Sequence, residues 1–121
     1  MATDGRAGFD PTRTRTDKTK LAAWLMAKVE GDLNEVPGIG PTTKGVLIEA
    51  GITTTYQLFG AFLSLKGQDC TGSVDLCDRF WYFLEKLGTT TGYRSTIVQA
   101  VACKLDTSFP GLYDSAMFPV D

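Results

Sequence analysis

The stretch VPGIGP at residues 36–41 decides the fold that the sequence predicts. Gly38 and Gly40, separated by one residue, allow the backbone to turn tightly through positive φ angles. Pro41 suits the first position of a following helix, where its missing N–H costs nothing, and Gly51 suits the position just after the end of that helix. Together with the amphipathic residues 42–50, this pattern predicts a helix-hairpin-helix, in which a short glycine turn joins two helices.

The composition is that of one globular domain without a membrane segment. The chain has 121 residues, of which 43% are hydrophobic and 21% are charged, which is enough for a core of ordinary composition. No apolar run approaches the length of a membrane span, and the polar, charged N-terminus is not typical of a secretory signal.

The cysteines predict neither a disulfide framework nor a metal site. The chain has three cysteines and no histidine, and zinc sites usually combine these two residue types. We expect Cys70 in a loop and Cys77 and Cys103 in the core. We therefore predict no metal and no cofactor, and a reducing intracellular compartment such as the cytosol, the nucleus or a cilium.

Hydrophobic spacing outside the hairpin predicts an all-α fold, a compact bundle of about five helices with the helix-hairpin-helix at its centre. The predicted helices span residues 19–29, 42–50, 55–66, 74–87 and 93–106. Asp17 is a candidate cap for the first helix, and Thr53 or Thr54 for the third. In the fourth helix, Phe80 and Phe83 are expected inside the core.

The two ends of the chain are predicted to be extended arms on either side of a helical domain that spans residues 17–106. Residues 1–16 are polar and lack hydrophobic periodicity, and residues 107–121 are interrupted by prolines and a glycine. The second arm has the composition of a peptide that lies along a partner surface. The residues expected to make these contacts are Phe109, Leu112, Tyr113 and Phe118. The alternative is that this arm folds back over its own domain.

Positive charge is concentrated near the start of the chain. Residues 1–30 hold six Lys/Arg against four Asp/Glu, whereas residues 31–121 hold six against ten. The basic stretch consists of Arg13, Arg15, Lys18 and Lys20. It could bind nucleic acid, dock on an acidic protein surface, or remain a solvated tail.

Two aromatic residues of the fourth helix lie off its predicted buried stripe. Trp81 and Tyr82 cannot face the same core as Phe80, so one or both are candidates for contact with a partner. The alternative for Trp81 is packing against the N-terminal helix.

Residues 33–106 resemble the barrier-to-autointegration factor family, which consists of small all-helical proteins that bridge double-stranded DNA in nuclei. The resemblance is carried by the hairpin Gly38-Ile39-Gly40, by Leu47 and Gly51, by Tyr56 to Lys66 in TYQLFGAFLSLK, by Phe80 and Leu84 in FWYFLEKL, and by Ser95. It covers roughly three-fifths of the chain. It implies an all-helical fold and a DNA site at the hairpin.

In that implied site, backbone amides of Gly38, Ile39 and Gly40 would meet a phosphate at the start of a helix, as in helix-hairpin-helix proteins generally. Lys44 and Arg94 are the nearby cations. The sequence departs from the family where DNA-facing lysines are expected. Two adjacent family lysines correspond to Gly45 and Val46, and a third corresponds to Tyr93.

Catalysis is not predicted, because the chain has no histidine, no paired nucleophile and base, and no phosphate-binding loop. Our first hypothesis is a non-enzymatic structural protein that binds protein partners in a large assembly. A ciliary, axonemal microtubule structure is a concrete candidate, since acidic tubulin would attract the basic stretch. The alternative is a sequence-independent binder of double-stranded DNA in the nucleus, whose affinity would depend on how many phosphates lysine and arginine neutralise.

Overall fold

The computed structural model describes residues 8–114 and residue 116, and within them the chain is helical, with no strand. The five helices are α1 (Lys18–Met26), α2 (Pro41–Glu49), α3 (Thr55–Ser64), α4 (Ser73–Leu87) and α5 (Arg94–Asp106). Three short 3-10 helices span Pro11–Arg13, Leu33–Glu35 and Thr91–Tyr93. The prediction of an all-α bundle is confirmed.

Helix α5 forms the centre of the bundle. The helices α1, α3 and α4 and the 3-10 helix Pro11–Arg13 all pack against it. Nine of its residues are buried: Arg94, Ser95, Thr96, Ile97, Val98, Ala100, Val101, Ala102 and Leu105. Because this helix is buried around most of its circumference, several separate segments are needed to cover it.

Helix α4 buries a stripe that lies slightly away from the predicted one. Its buried apolar residues are Leu76, Cys77, Phe80 and Leu84. Phe80 meets the ring of Phe62 edge to face, with 5.1 Å between the ring centroids. Phe83 was predicted in the core but is only half-buried, and its ring centroid lies 6.1 Å from that of Phe80. The reason is that Phe83 lies at one edge of the buried stripe of α4, and Cys77 lies at the opposite edge.

The helix ends follow the local sequence closely. Asp17 accepts a hydrogen bond from the Lys20 amide at the start of α1, and Thr54 accepts one from the Gln57 amide at the start of α3. Gly88 ends α4 in the left-handed conformation with φ 97°. Helix α1 ends at Met26, three residues before the predicted end.

The early end of α1 is held by a side chain from α5. The Lys104 ammonium donates to the carbonyl oxygens of Trp24, Leu25 and Ala27. It also lies over the Trp24 ring, 4.9 Å from the centroid. Carbonyl groups at the C-terminus of a helix lack partners and carry partial negative charge, so a cation there stabilises the end of α1.

The first segment of the chain differs from the predicted extended arm, because residues 8–16 are packed onto the bundle. The Phe9 side chain is fully buried. The Phe9 amide donates to Asp78 at 3.0 Å. The Asp10 amide donates to Ser95 at 3.2 Å, and the Arg15 amide donates to Thr96 at 2.7 Å. One aromatic residue among polar ones has no periodicity, so the sequence pattern did not predict this contact.

Residues 107–114, the described part of the second predicted arm, fold back over the helical domain. This was the alternative prediction for that arm. Leu112 is buried, and Tyr113 is half-buried with its ring edge 6.2 Å from the ring of Phe9. These two residues therefore belong to the core, and the prediction that they bind a partner is not supported by their positions. Phe109 is 54% exposed and remains available. Phe118 lies outside the described residues.

We expect Phe9→Ala to lower the free energy of unfolding by about 3–5 kcal/mol, because it leaves a cavity where a whole aromatic ring was buried. Phe109→Ala is the matched control, and its effect should stay within about 0.5 kcal/mol because that ring is largely in water. Urea unfolding of the full chain measures both. Equal, small effects would show that residues 8–16 contribute nothing to the core.

Candidate functional site

Residues 36–40, here called the hairpin after the prediction, link the 3-10 helix Leu33–Glu35 to α2 and pack directly against the central helix. Gly38 has φ +95°, and a Cβ atom at this position would lie 2.9 Å from Cγ1 of Ile97. Ile39 is buried, and its amide donates to the Val36 carbonyl oxygen at 3.1 Å. A glycine is therefore required at position 38 both by the backbone angle and by the close approach of α5.

A partly buried carboxylate group, that of Glu35, holds the hairpin in place. Glu35 accepts hydrogen bonds from the amides of Glu30 and Gly31, each at 2.9 Å, and from the Thr55 hydroxyl at 2.6 Å. Partial burial acts to raise the pKa of Glu35, but the bond from Thr55 and the two amide bonds outweigh it and lower that pKa. The ionised carboxylate thus ties the hairpin to the loop after α1 and to the start of α3.

The cations predicted for DNA contact are engaged within the protein. Lys44 forms an ion pair with Asp32 at 2.9 Å. Arg94 is 4% exposed, so the prediction that it faces DNA is wrong. Its guanidinium donates to the hydroxyl and the carbonyl oxygen of Thr89 and lies 4.6 Å from the ring centroid of Trp81. The Glu85 carboxylate lies 3.8 Å from the same guanidinium, so these contacts together stabilise the charge at the edge of the bundle.

The two aromatic residues of α4 have different environments. Trp81 is half-buried, and the Arg94 guanidinium lies over its ring. This agrees with the alternative prediction that Trp81 packs within the protein, but the residue that covers it is Arg94 rather than one of the N-terminal helix. Tyr82 is 41% exposed, and its ring meets that of Trp81 edge to face at 5.0 Å. Of this pair, Tyr82 is the more available for a partner.

Three adjoining surface clefts lie on the described part of the chain, and two of them are lined by residues of the hairpin. The first, here called the arm cleft, has a volume of about 600 Å³ and is lined by Arg13, Arg15 and Trp81 among others. The second, the hairpin cleft, has a volume of about 570 Å³ and lies between α1 and the hairpin. A third of about 470 Å³ lies at the start of α2. Arg15 lines both of the first two clefts, and Tyr93 lines both the second and the third.

We name this region the hairpin face, comprising Arg13, Arg15, Lys20, Trp81, Tyr93 and hairpin residues 36–40. It brings three residues of the predicted basic stretch close to the predicted hairpin, and no pattern in the sequence indicated this proximity. Lys18 is exposed at the start of α1 but lines none of these clefts.

Arg15 and Tyr93 form the centre of the hairpin face. The Arg15 guanidinium lies 5.1 Å from the centroid of the Tyr93 ring, and Tyr93 is 45% exposed. Tyr93 was not selected from the sequence as a binding residue. The one pattern that could have indicated it is its position directly before α5, where the resembling family has a lysine.

The carboxylates near the hairpin face are already engaged. Asp10 is buried and accepts from the amide and hydroxyl of Thr12. It also lies 3.4 Å from the Arg13 guanidinium, whose side chain is 58% exposed. Asp17 caps α1, and Glu35 is held by its three donors. Among the charged residues that line the first two clefts, Arg13, Arg15 and Lys20 outnumber the ionised Glu35.

No family model, curated protein or solved structure matches this chain. In the described part of the chain, no group of three or more His, Cys, Asp or Glu side chains is arranged to hold a metal ion. The helices described there include none that is long and apolar enough to cross a membrane.

None of the three cysteines forms a disulfide. Cys103 is half-buried, and this burial, assisted by the charge of Asp106, raises the pKa of its thiol to about 11.

We expect Gly38→Ala to lower the free energy of unfolding by about 1–3 kcal/mol, since alanine is strained at this backbone angle and its methyl group would collide with Ile97. Gly45→Ala is the matched control within α2. It has open space around it and should stabilise the helix by about 0.5–1 kcal/mol. Denaturant melts show whether each substitution raises or lowers the free energy of unfolding. A change of the same sign in both variants would contradict the proposed packing of the hairpin.

The lowered pKa of Glu35 predicts a pH dependence of stability. The stabilisation from ionised Glu35 is fully present above its ordinary pKa of 4.5 and is lost as pH falls through its lower value in the folded protein. Glu35→Gln should be less stable than the natural chain at neutral pH, and the difference should shrink as the solution is acidified. Urea midpoints across this range measure it, and a constant difference would contradict the assignment.

Proposed function

We propose that the protein is a non-enzymatic structural protein that binds a protein partner in a large assembly through the hairpin face. The observation that carries the proposal is the Arg15 guanidinium held over the exposed Tyr93 ring, at the point where the arm cleft and the hairpin cleft meet. Arginine, tyrosine and tryptophan are the residues most enriched at energetically important positions of protein interfaces.

The groups that line this face support binding rather than chemistry. They are guanidinium, ammonium, hydroxyl and aromatic groups, and the chain has no histidine to serve as a base near neutral pH. The one ionised carboxylate that lines the hairpin cleft, Glu35, is held by three hydrogen bonds.

Sequence-independent binding of duplex DNA is the second candidate, and one feature favours it. Helix α2 begins after Gly40 with no side-chain cap, so amides at its start can donate hydrogen bonds to an anion such as a phosphate. The surrounding charges favour it less. Lys44 is paired with Asp32, Arg13 with Asp10, and Arg94 is buried, which leaves Arg15 and Lys20 as the other cations of the hairpin face. Duplex affinity at physiological salt grows with the number of phosphates neutralised, so these few cations support weak binding.

A microtubule-based, axonemal assembly is the specific form of the proposal that the charge pattern supports. The acidic surface of tubulin would attract Arg13, Arg15 and Lys20 on the hairpin face, together with the exposed Lys18 beside it. This attraction should weaken with added salt, since exposed charges are screened.

The first test is whether the chain resides in a large particle. In size-exclusion chromatography of a native extract, we expect the protein to elute at an apparent mass far above that of a monomer. The result should be the same before and after nuclease treatment. Arg15→Glu should shift the protein to the monomer position, because the substitution reverses the central charge. Lys66→Glu is the matched control, an exposed lysine after α3 that lines none of the clefts. Elution of the natural chain as a monomer would overturn the proposal.

Two titrations with purified components separate the candidates. Co-sedimentation with stabilised microtubules should be strong for the natural chain and for Lys66→Glu, and weak for Arg15→Glu. Anisotropy with a duplex should show weak binding at physiological salt. Sub-micromolar duplex affinity that falls steeply with salt and is lost in Gly40→Glu would establish the second candidate in place of the first.

A further inference from the structure

We propose that the segment bound by the hairpin face is an acidic peptide with one apolar anchor residue. The anchor enters the hairpin cleft, and carboxylates beside it pair with Arg15 and Arg13 along the arm cleft. This inference rests on the proposed function, because it names the chemistry of the protein partner.

The hairpin cleft has the lining that an apolar side chain requires. Its apolar residues are Ala23, Trp24, Ala27, Val36, Pro37 and Ile39. The Trp24 indole is fixed in position, since its N–H donates to the Ala100 carbonyl oxygen at 2.9 Å. A cleft of about 570 Å³ with a rigid apolar floor is large enough for one anchor residue of a peptide.

The arginines are presented from a backbone that is already fixed. Burial of Phe9 and the amide bonds from Asp10 to Ser95 and from Arg15 to Thr96 hold the segment on the bundle. Binding therefore does not require this backbone to become ordered, which lowers the entropic cost. Guanidinium groups are suited to carboxylates because they can donate two parallel hydrogen bonds to both oxygens.

The remaining charges indicate how the peptide is oriented. Glu35 lines the hairpin cleft, and its lowered pKa keeps it ionised at neutral pH. Carboxylates of a ligand would be repelled by Glu35 and attracted by Arg15 and Lys20, which also line this cleft, and by Arg13 in the arm cleft. The apolar floor offers no hydrogen bond or charge to the phosphates of a nucleic-acid backbone. An apolar residue in the hairpin cleft with acidic residues toward the arm cleft satisfies both regions.

Fluorescence anisotropy with three labelled peptides of equal length tests the proposal. The first peptide has one central phenylalanine flanked by glutamates, the second replaces phenylalanine by serine, and the third replaces the glutamates by glutamine. We expect the first to bind best, and each change to weaken binding about tenfold or more. Equal affinity of the first two peptides would overturn the anchor. Equal affinity of the first and third would overturn the charge pairing.

Protein variants assign the effects to the two clefts. Ala23→Phe fills the hairpin cleft from an exposed helix position. It should lower the affinity for the phenylalanine peptide to that for the serine peptide, and it should leave the affinity for the serine peptide unchanged. Arg15→Gln should weaken both glutamate peptides, while Lys66→Gln should change neither. Thermal melts verify that each variant is folded. Tight binding of the first peptide to folded Ala23→Phe would overturn the proposal.

The outcomes separate this inference from the proposed function. If the chain elutes in a large particle through Arg15 but does not prefer the anchored peptide, the inference fails and the function stands. If the chain elutes as a monomer, the function fails. A labelled duplex that binds more tightly than every peptide would overturn the inference and identify a polynucleotide as the ligand.

Discussion

Burial of helix α5 around most of its circumference is the constraint on which the rest of the structure depends. A helix in this position must be covered by several segments, and α1, α3, α4 and the residues before α1 all serve this purpose. The charged side chains near its two ends have partners within the bundle. Arg94 is satisfied by Thr89 and Trp81, and Lys104 closes the C-terminal end of α1. The bundle is thus organised from its centre outward, and its surface follows from how that centre is covered.

The need to cover α5 also explains how the hairpin face arises. The segment before α1 is attached through Phe9 and through hydroxyl groups of α5, and none of these contacts uses an arginine side chain. The backbone contacts that hold this segment are therefore separate from the guanidinium groups that it presents, although Arg13 also pairs with Asp10 and Arg15 lies over the Tyr93 ring. Arg15 can be replaced without loss of a backbone hydrogen bond, whereas removal of the Phe9 ring would create a cavity. Binding and stability can consequently be measured independently at positions only six residues apart.

Local features of the fold were predictable from the sequence, and features set by tertiary contacts were not. The five helices, the caps Asp17 and Thr54 and the end of α4 at Gly88 follow from residues adjacent in sequence. The burial of Phe9 depends on residues far away along the chain, and that of Arg94 depends on the turn between α4 and α5 that brings Thr89 and Trp81 against it, so no periodicity indicated either. The same holds for the candidate site. Its arginines and its hairpin were each identified, but their proximity and the role of Tyr93 required the folded structure.

The hairpin shows why a motif determines structure more firmly than function. Gly38 is required by its backbone angle and by its contact with Ile97, so packing alone accounts for the glycine pattern whatever the surface binds. Ligand choice must then depend on the side chains around the hairpin. Here an exposed tyrosine under an arginine lies beside an apolar cleft and an ionised Glu35. A phosphate backbone gains little from an aromatic ring and an apolar floor, whereas a protein segment gains from both.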